Sequence, residues 1–173
     1  GRFDSHDEYL KSLQLQVVVG RDLASRIKRI SELTMKSNQF NLTTQRYTEA
    51  DIQAFFDDPD ATVYSYQIGD KFGDYGLTGI IIVKYDGLLA QIDSFLMSCR
   101  VLGRNIEMAI WEPVIDDVRR RGCTHLLAEH IPSAKNAQTQ DFYDRLGFTR
   151  DENTSGEDSE TDHRRYRTEL NAF

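Results

Sequence analysis

The chain has 173 residues, 39% hydrophobic and 28% charged, a balance that suits one folded domain and excludes a wholly disordered segment. Its net charge of −7 is concentrated: residues 151–162 hold six acids and no bases, the remainder is close to neutral, and nucleic acid is therefore not an expected partner. No apolar run approaches the roughly 18 residues needed to cross a bilayer, and two cysteines are too few for a disulfide framework and fit a reducing, cytoplasmic setting.

The first ten residues are polar and carry no signal peptide, and the opening reads as a start within a longer chain. Ser5 and Glu8 have capping-box spacing, which predicts a lead-in helix from Ser5 to Leu13. Residues 1–12 then serve as a linker before a single domain from 13 to 173. Leu13, Leu15, Val17 and Val19 alternate as in a strand, which Gly20 ends. Leu23, Ile27, Ile30 and Leu33 recur at helical spacing over Asp22 to Lys36. Thr48 and Asp51 start a second helix, with Ile52, Phe55 and Phe56 as its apolar side. The turn Asp57-Asp58-Pro59-Asp60 stops it.

Three strands follow. Thr62–Ile68 is β-branched and aromatic, Gly69–Asp74 reads as a loop, and Leu77–Tyr85 holds the buried run Ile80–Val83. Asp86-Gly87 is a hairpin signal leading into Leu88–Cys99. Next, Arg100-Val-Leu-Gly-Arg-Asn105 is a glycine turn between a strand and a helix. Free N–H groups at that helix start, with the positive end of the helix dipole, form a ready anion site.

The third helix runs from about Arg104 to Arg121 with Ile106, Ile110, Val114 and Val118 on one face. Pro113 falls inside it and predicts either a kink or two helices. Thr124–His130 is a strand, Asn136–Leu146 a fourth helix, Phe148 a strand start, and Arg164–Leu170 a last strand after a solvated acidic loop. His125 and His130 are five apart in one strand and face opposite sides, and the four histidines lack metal-ligand spacing, so no metal is expected. The order β-α-α-β-β-β-α-β-α-β-β predicts an α/β domain, one mixed central sheet with helices on both faces.

That order resembles the GNAT acyltransferase fold, and two local motifs carry the resemblance further. Arg100-Val-Leu-Gly103-Arg-Asn105 resembles the family's pyrophosphate loop at its first four positions and departs at the sixth, where Asn105 replaces a small residue. Asn136-Ala-Gln-Thr-Gln-Asp-Phe142-Tyr143 followed by Gly147-Phe148 looks like the GNAT fourth helix. A narrower resemblance spans about Leu13 to Phe148. Asn38-Gln-Phe-Asn-Leu-Thr-Thr44, Arg46-Tyr-Thr-Glu49, Asp74-Tyr-Gly-Leu77 with Gly79, Ser94 to Arg104 and Ala134-Lys-Asn136 resemble the C-terminal region of FkbH-like proteins. Those proteins pair a HAD-like domain with a GNAT-like region and are associated with loading a glycerol-derived acyl unit onto acyl carrier protein. This chain has no Asp-x-Asp-x-Thr segment, and Asp58-Pro-Asp60 reads as a turn, so it looks like the GNAT-like half.

The resemblance implies coenzyme A, acyl-CoA or the phosphopantetheine of acyl carrier protein as the thioester carrier. The backbone of Phe95, Leu96, Met97, Ser98 and Cys99 would bond the pantetheine arm. The N–H groups of Leu102, Gly103, Arg104 and Asn105, following Val101, would hold pyrophosphate, with charge-assisted bonds from Arg100 and Arg104. Tyr143 matches the tyrosine that donates to the departing thiolate, or is a core aromatic. Asn136 bonds the cofactor arm or caps a helix. Glu129 and Asp93 are candidate bases, each alternatively a paired carboxylate. Cys99 could carry an acyl group or be a small buried thiol. Asn38–Thr44 would recognise the acceptor, or its polar groups only satisfy a buried loop. Arg119-Arg-Arg121 could dock an acidic carrier protein or complement a helix C-terminus. Three functions remain: acyl transfer or acyl handling with coenzyme A or carrier-protein phosphopantetheine, a non-catalytic module that docks carrier protein for a HAD-like partner domain, or a stand-alone amine acetyltransferase.

Overall fold

The computed structural model describes residues 14–98, 106–151 and 163–170, with Glu107 and Met108 described by backbone alone. The lead-in helix, the Arg100–Asn105 turn with Cys99, and the acidic stretch from 152 to 162 lie outside the described residues.

Strand β1 is Gln16–Arg21. A 3-10 turn at Ala24–Arg26 leads into helix α1, Ile27–Lys36. A two-residue strand β2, Phe40–Asn41, precedes helix α2, Glu49–Asp57. Strands β3 (Ala61–Asp70), β4 (Gly73–Asp86) and β5 (Leu89–Met97) form a meander. Helix α3 is Glu107–Arg120, β6 is His125–His130, and a 3-10 turn at Ala137–Thr139 precedes the short helix α4, Phe142–Arg145. Strands β7 (Thr149–Arg150) and β8 (Arg164–Glu169) complete the described chain.

The sheet order is β1-β3-β4-β5-β6-β8-β7, with β2 attached to β5. Among the described residues only the β5–β6 pairing is parallel, because α3 crosses between them; the other neighbouring strands pair antiparallel. The predicted single mixed sheet with helices on both faces is what the chain forms. Strand alternation builds two cores. Ile80 and Ile82 of β4 pack with Ile30, Leu33 and Ile52 under α1 and α2. Ile81 and Val83 pack with Ile110, Trp111, Val114 and Phe142 under α3 and α4.

Local rules hold at several points. Thr48 accepts from the Asp51 amide while Asp51 accepts from the Thr48 amide, a full capping box. Gly87 takes the first loop position of the β4–β5 hairpin at φ +57, a conformation other residues resist. Pro113 sits inside one continuous helix rather than dividing it.

Other expectations need correction. Gly20 lies within β1, paired to Ser65, rather than ending it. Gly69–Asp74 is a hairpin with Lys71 and Phe72 at its tip, because Asp70 pairs with Gly73. The expected helix from Asn136 to Leu146 is a 3-10 turn and a four-residue helix. Its polar first half instead follows the hydrogen bonds of Asn136 and Thr139. Strand β2 carries no alternation and is too short to announce itself in sequence; tertiary pairing creates it.

Candidate active site

Strand β5 changes phase at Asp93. Ile82 faces Ser94 and Val83 faces Ile92, so Asp93 is the extra residue of a bulge. Ala90 and Ile92 precede it on the α3–α4 face, and Phe95 and Met97 follow it on that same face. The bulge bends the strand, and pairing to β6 stops at Gln91 and Leu127. Beyond that point β5 and β6 diverge.

The mouth of the divergence is a cleft of about 390 Å³ lined by Thr43, Gln45, Lys84, Gln91, Asp93 and Glu129, with Ile92 and Ile131. Both carboxylates proposed from sequence as bases therefore share one cleft, and both are partnered. Asp93 accepts from the Tyr47 hydroxyl at 2.6 Å and the Ser94 hydroxyl at 2.9 Å, and pairs with Lys84 at 3.3 Å. Glu129 meets His163 at 3.2 Å and Arg165 at 3.8 Å. Burial, then the bond to Asp93, pushes the Tyr47 phenol well above the usual tyrosine range, so Tyr47 stays a donor at neutral pH. Tyr47 and Lys84 had no role assigned from sequence. Tyr47 belongs to the Arg46–Glu49 motif, which was a signal; Lys84 joins only because it sits one strand away.

The deeper part of the divergence is filled by the chain itself. β4 holds one edge of β5, with Gly79 on Met97 and Ile80 on Leu96. On the other edge, turned toward β6, Phe40 pairs with Met97 and Asn41 with Leu96. The Leu42 amide donates to the Phe95 carbonyl (3.1 Å), and the Ile131 amide donates to the Leu42 carbonyl (2.8 Å). The Thr43 hydroxyl donates to the Asp93 carbonyl at 2.8 Å. Residues 40–43 thus form a strap across both strands, and all four are buried.

Asn136 fastens this strap. Its Nδ2 donates to the Asn41 carbonyl and the Ile131 carbonyl, both at 2.9 Å, and its Oδ1 accepts from the Ser133 amide at 2.8 Å. It makes no helix cap through its side chain. Asn38–Thr44 and Ala134–Asn136, distant in sequence, meet here.

Rings close the space behind the strap. Phe40 lies 5.3 Å from both Phe95 and Phe142, and Phe142 lies 5.5 Å from Tyr143. Tyr143 is fully buried, and its hydroxyl has no hydrogen-bond partner among the described residues; the same is true of the Trp111 indole N–H. Burial, with Tyr166 and Glu129 nearby, pushes the Tyr143 phenol far above its ordinary value, so it keeps its proton at neutral pH and can donate.

Leu96 and Met97 are buried in β5, and the Ser98 amide donates to the Thr78 carbonyl on the β4 side. With the strap seated, Leu42 bonds the Phe95 carbonyl and Phe40 pairs with Met97 on the edge where the resemblance would place a pantetheine arm. Arg100, Val101, Leu102, Gly103, Arg104 and Asn105 lie outside the described residues. Among the arginines at the end of α3, Arg119 donates to the Leu170 carbonyl, Arg120 reaches Asp117 at 3.6 Å, and Arg121 stacks on Tyr85 at 3.8 Å. No helix among the described residues is long and apolar enough to cross a membrane, and no group of three or more His, Cys, Asp or Glu among them could hold a metal ion.

No family model and no curated relative matches the chain. Solved structures do. The ribosomal-protein-S18-alanine N-acetyltransferase from Escherichia coli aligns at a TM-score of 0.65 and 14% identity, over 90% of this chain and 94% of that one. Ard1 from Thermoplasma volcanium aligns at 0.65 and 15%, over 88% and 97%. A GNAT-family acetyltransferase from Staphylococcus aureus Mu50 aligns at 0.65 and 12%, over 90% and 99%. At such identities the likeness is one of fold: this chain has the GNAT acetyltransferase fold.

Proposed function

We propose that this domain is an acyltransferase-type module that handles an acyl thioester of coenzyme A or of carrier-protein phosphopantetheine. One observation carries the reading: the Asp93 bulge parts β5 from β6 and opens a polar cleft between the two central strands of a GNAT fold. Neighbours of the same fold are N-acetyltransferases by name, and fold alone does not transfer their activity. Support from the residues is chemical. The cleft offers two carboxylates for proton removal, Asp93 and Glu129, and behind the strap lies a buried phenol, Tyr143, that could donate to a thiolate once the strap is displaced. The FkbH-like resemblance adds acyl carrier protein and a HAD-like domain as the context of such a module.

A second reading is favoured by the strap. If residues 40–43 never leave β5, the domain is a docking module that presents carrier protein to a HAD-like partner. Calorimetry with coenzyme A and, separately, with pantetheinylated acyl carrier protein decides between them. Coenzyme A binding, with acyl transfer from acyl-CoA or the acylated carrier, supports the first. Carrier protein binding without coenzyme A binding or transfer overturns the first and supports the second.

A further inference from the structure

We propose that Phe40–Thr43 is an intramolecular gate: a strap that occupies the β5 edge in place of an extended arm and leaves it by local opening, with Asn136 as its latch. The inference rests on the thioester reading for what the gate admits, but the gate itself is a property of this chain.

The strap has the form of the ligand it excludes. An extended arm carrying amides would bond the free N–H and C=O groups of one β-strand edge. Residues 40–43 supply such bonding to Asp93–Met97, and they also bridge to β6 through Ile131. The strap is therefore a substitute strand inserted into a gap that the β5 bulge creates.

Its attachments are few and short in sequence. The regular pairing covers two residues, Phe40 and Asn41, against nine in β5. Gln39 and Gln45, on either side of it, are exposed. Thr44 closes the strap at φ +55, a left-handed conformation that a β-branched residue resists, held by a bond from its amide to Asn41 Oδ1 at 2.9 Å. Beyond the β5 bonds, the strap is held by the Ile131 amide on the Leu42 carbonyl, by Asn41 Nδ2 on the Ser37 carbonyl, and by Asn136, whose Nδ2 holds the Asn41 and Ile131 carbonyls together.

The closed state also leaves polar atoms unsatisfied. Phe40 packs on Phe95 and Phe142, and the rings next to those, Trp111 and Tyr143, keep a buried N–H and O–H without partners among the described residues. Buried donors nearly always find acceptors. An arm that carries carbonyl oxygens is an acceptor of the kind these two donors lack while the strap is closed.

Amide hydrogen exchange tests the gate without any ligand. In the native chain, the Leu42 and Ile131 amides are expected to exchange at least about tenfold faster than those of Ile80–Ile82, with little dependence on low urea, as local opening requires. Exchange of Leu42 as slow as the central strands, with their urea dependence, overturns the gate. A lock adds a second measurement. Asn41 and Leu96 face each other, and Leu42 bonding to Phe95 makes their position a non-hydrogen-bonded pair, the closer kind. In a Cys99→Ser background, Asn41→Cys with Leu96→Cys should form a disulfide. Oxidation is expected to slow Leu42 exchange to the global rate and abolish coenzyme A binding, and reduction to restore both. Undiminished coenzyme A binding by the oxidised lock overturns the gate. Failure of every form to bind coenzyme A or pantetheinylated carrier defeats the thioester reading, while the exchange data still decide whether the strap opens.

Discussion

The Asn136 side chain donates to the Asn41 carbonyl at 2.9 Å across 95 residues of sequence, and together with the Ile131 amide bond to the Leu42 carbonyl it joins the strap to the loop after β6. Both residues are completely buried, so each lost bond strands a polar group away from water.

Asn136→Ala should therefore cost about 1–3 kcal/mol, since it orphans the Asn41 and Ile131 carbonyls and the Ser133 amide. Urea unfolding should show a lower midpoint at an unchanged slope. Asn136→Asp keeps the acceptor for Ser133 but loses both donations and buries a charge, so it should be the more damaging of the two. Equal or higher stability in either variant would mean the strap is not fastened as described.

Tyr143→Phe separates structure from chemistry. The hydroxyl it removes has no partner among the described residues, so thermal stability should stay within about 0.5 kcal/mol of the parent. If the phenol serves a departing thiolate, single-turnover acyl transfer should nonetheless fall. Marked destabilisation would point to a partner for that hydroxyl.

Tyr47→Phe removes the 2.6 Å bond to Asp93 and should cost about 1–2 kcal/mol, since hydrogen bonds to charged groups exceed neutral ones. A double-mutant cycle with Asp93→Asn should show coupling, because the two share that bond. Additive effects would place the Tyr47 contribution elsewhere, for instance in its ring contact with Phe55 at 5.1 Å.

His130 makes stability depend on pH. Burial, then the nearby charge of Arg164, holds its imidazole below the ordinary value of about 6.5. The fold therefore favours the neutral ring. That contribution is fully present above the unfolded value and is lost as pH falls from about 6.5 through the lower folded value. Urea midpoints should drop on acidification across this window, and His130→Gln should flatten that part of the profile. An unchanged profile in the variant would assign the drop to other groups.

Much of this architecture was legible because it is local. Alternation in Ile80–Val83, the Thr48–Asp51 box and the Asp86-Gly87 turn each fix a backbone conformation through neighbours within a few residues. The phase change from Ala90 and Ile92 to Phe95 and Met97 was also present in the letters, and it marks the bulge at Asp93. Helical spacing misled at Asn136–Leu146, where Asn136 donates to backbone carbonyls of other segments and Thr139 bonds the His130 ring and the Asn136 carbonyl instead of continuing a helix.

By itself the sequence determined an α/β domain, the order of its strands and helices, and a set of polar residues near one strand end. Periodicity and capping are properties of short windows, and the resemblance of motifs supplied the fold. Only the tertiary structure decided that Asp93 and Glu129 share a cleft already partnered by Tyr47, Lys84 and His163. It alone decided that Phe40–Thr43 pairs along β5. The physical reason is that a strand edge left open by a bulge must bond something, and which segment reaches it depends on where α1, α2 and the loop holding Asn136 pack, not on the letters of β5.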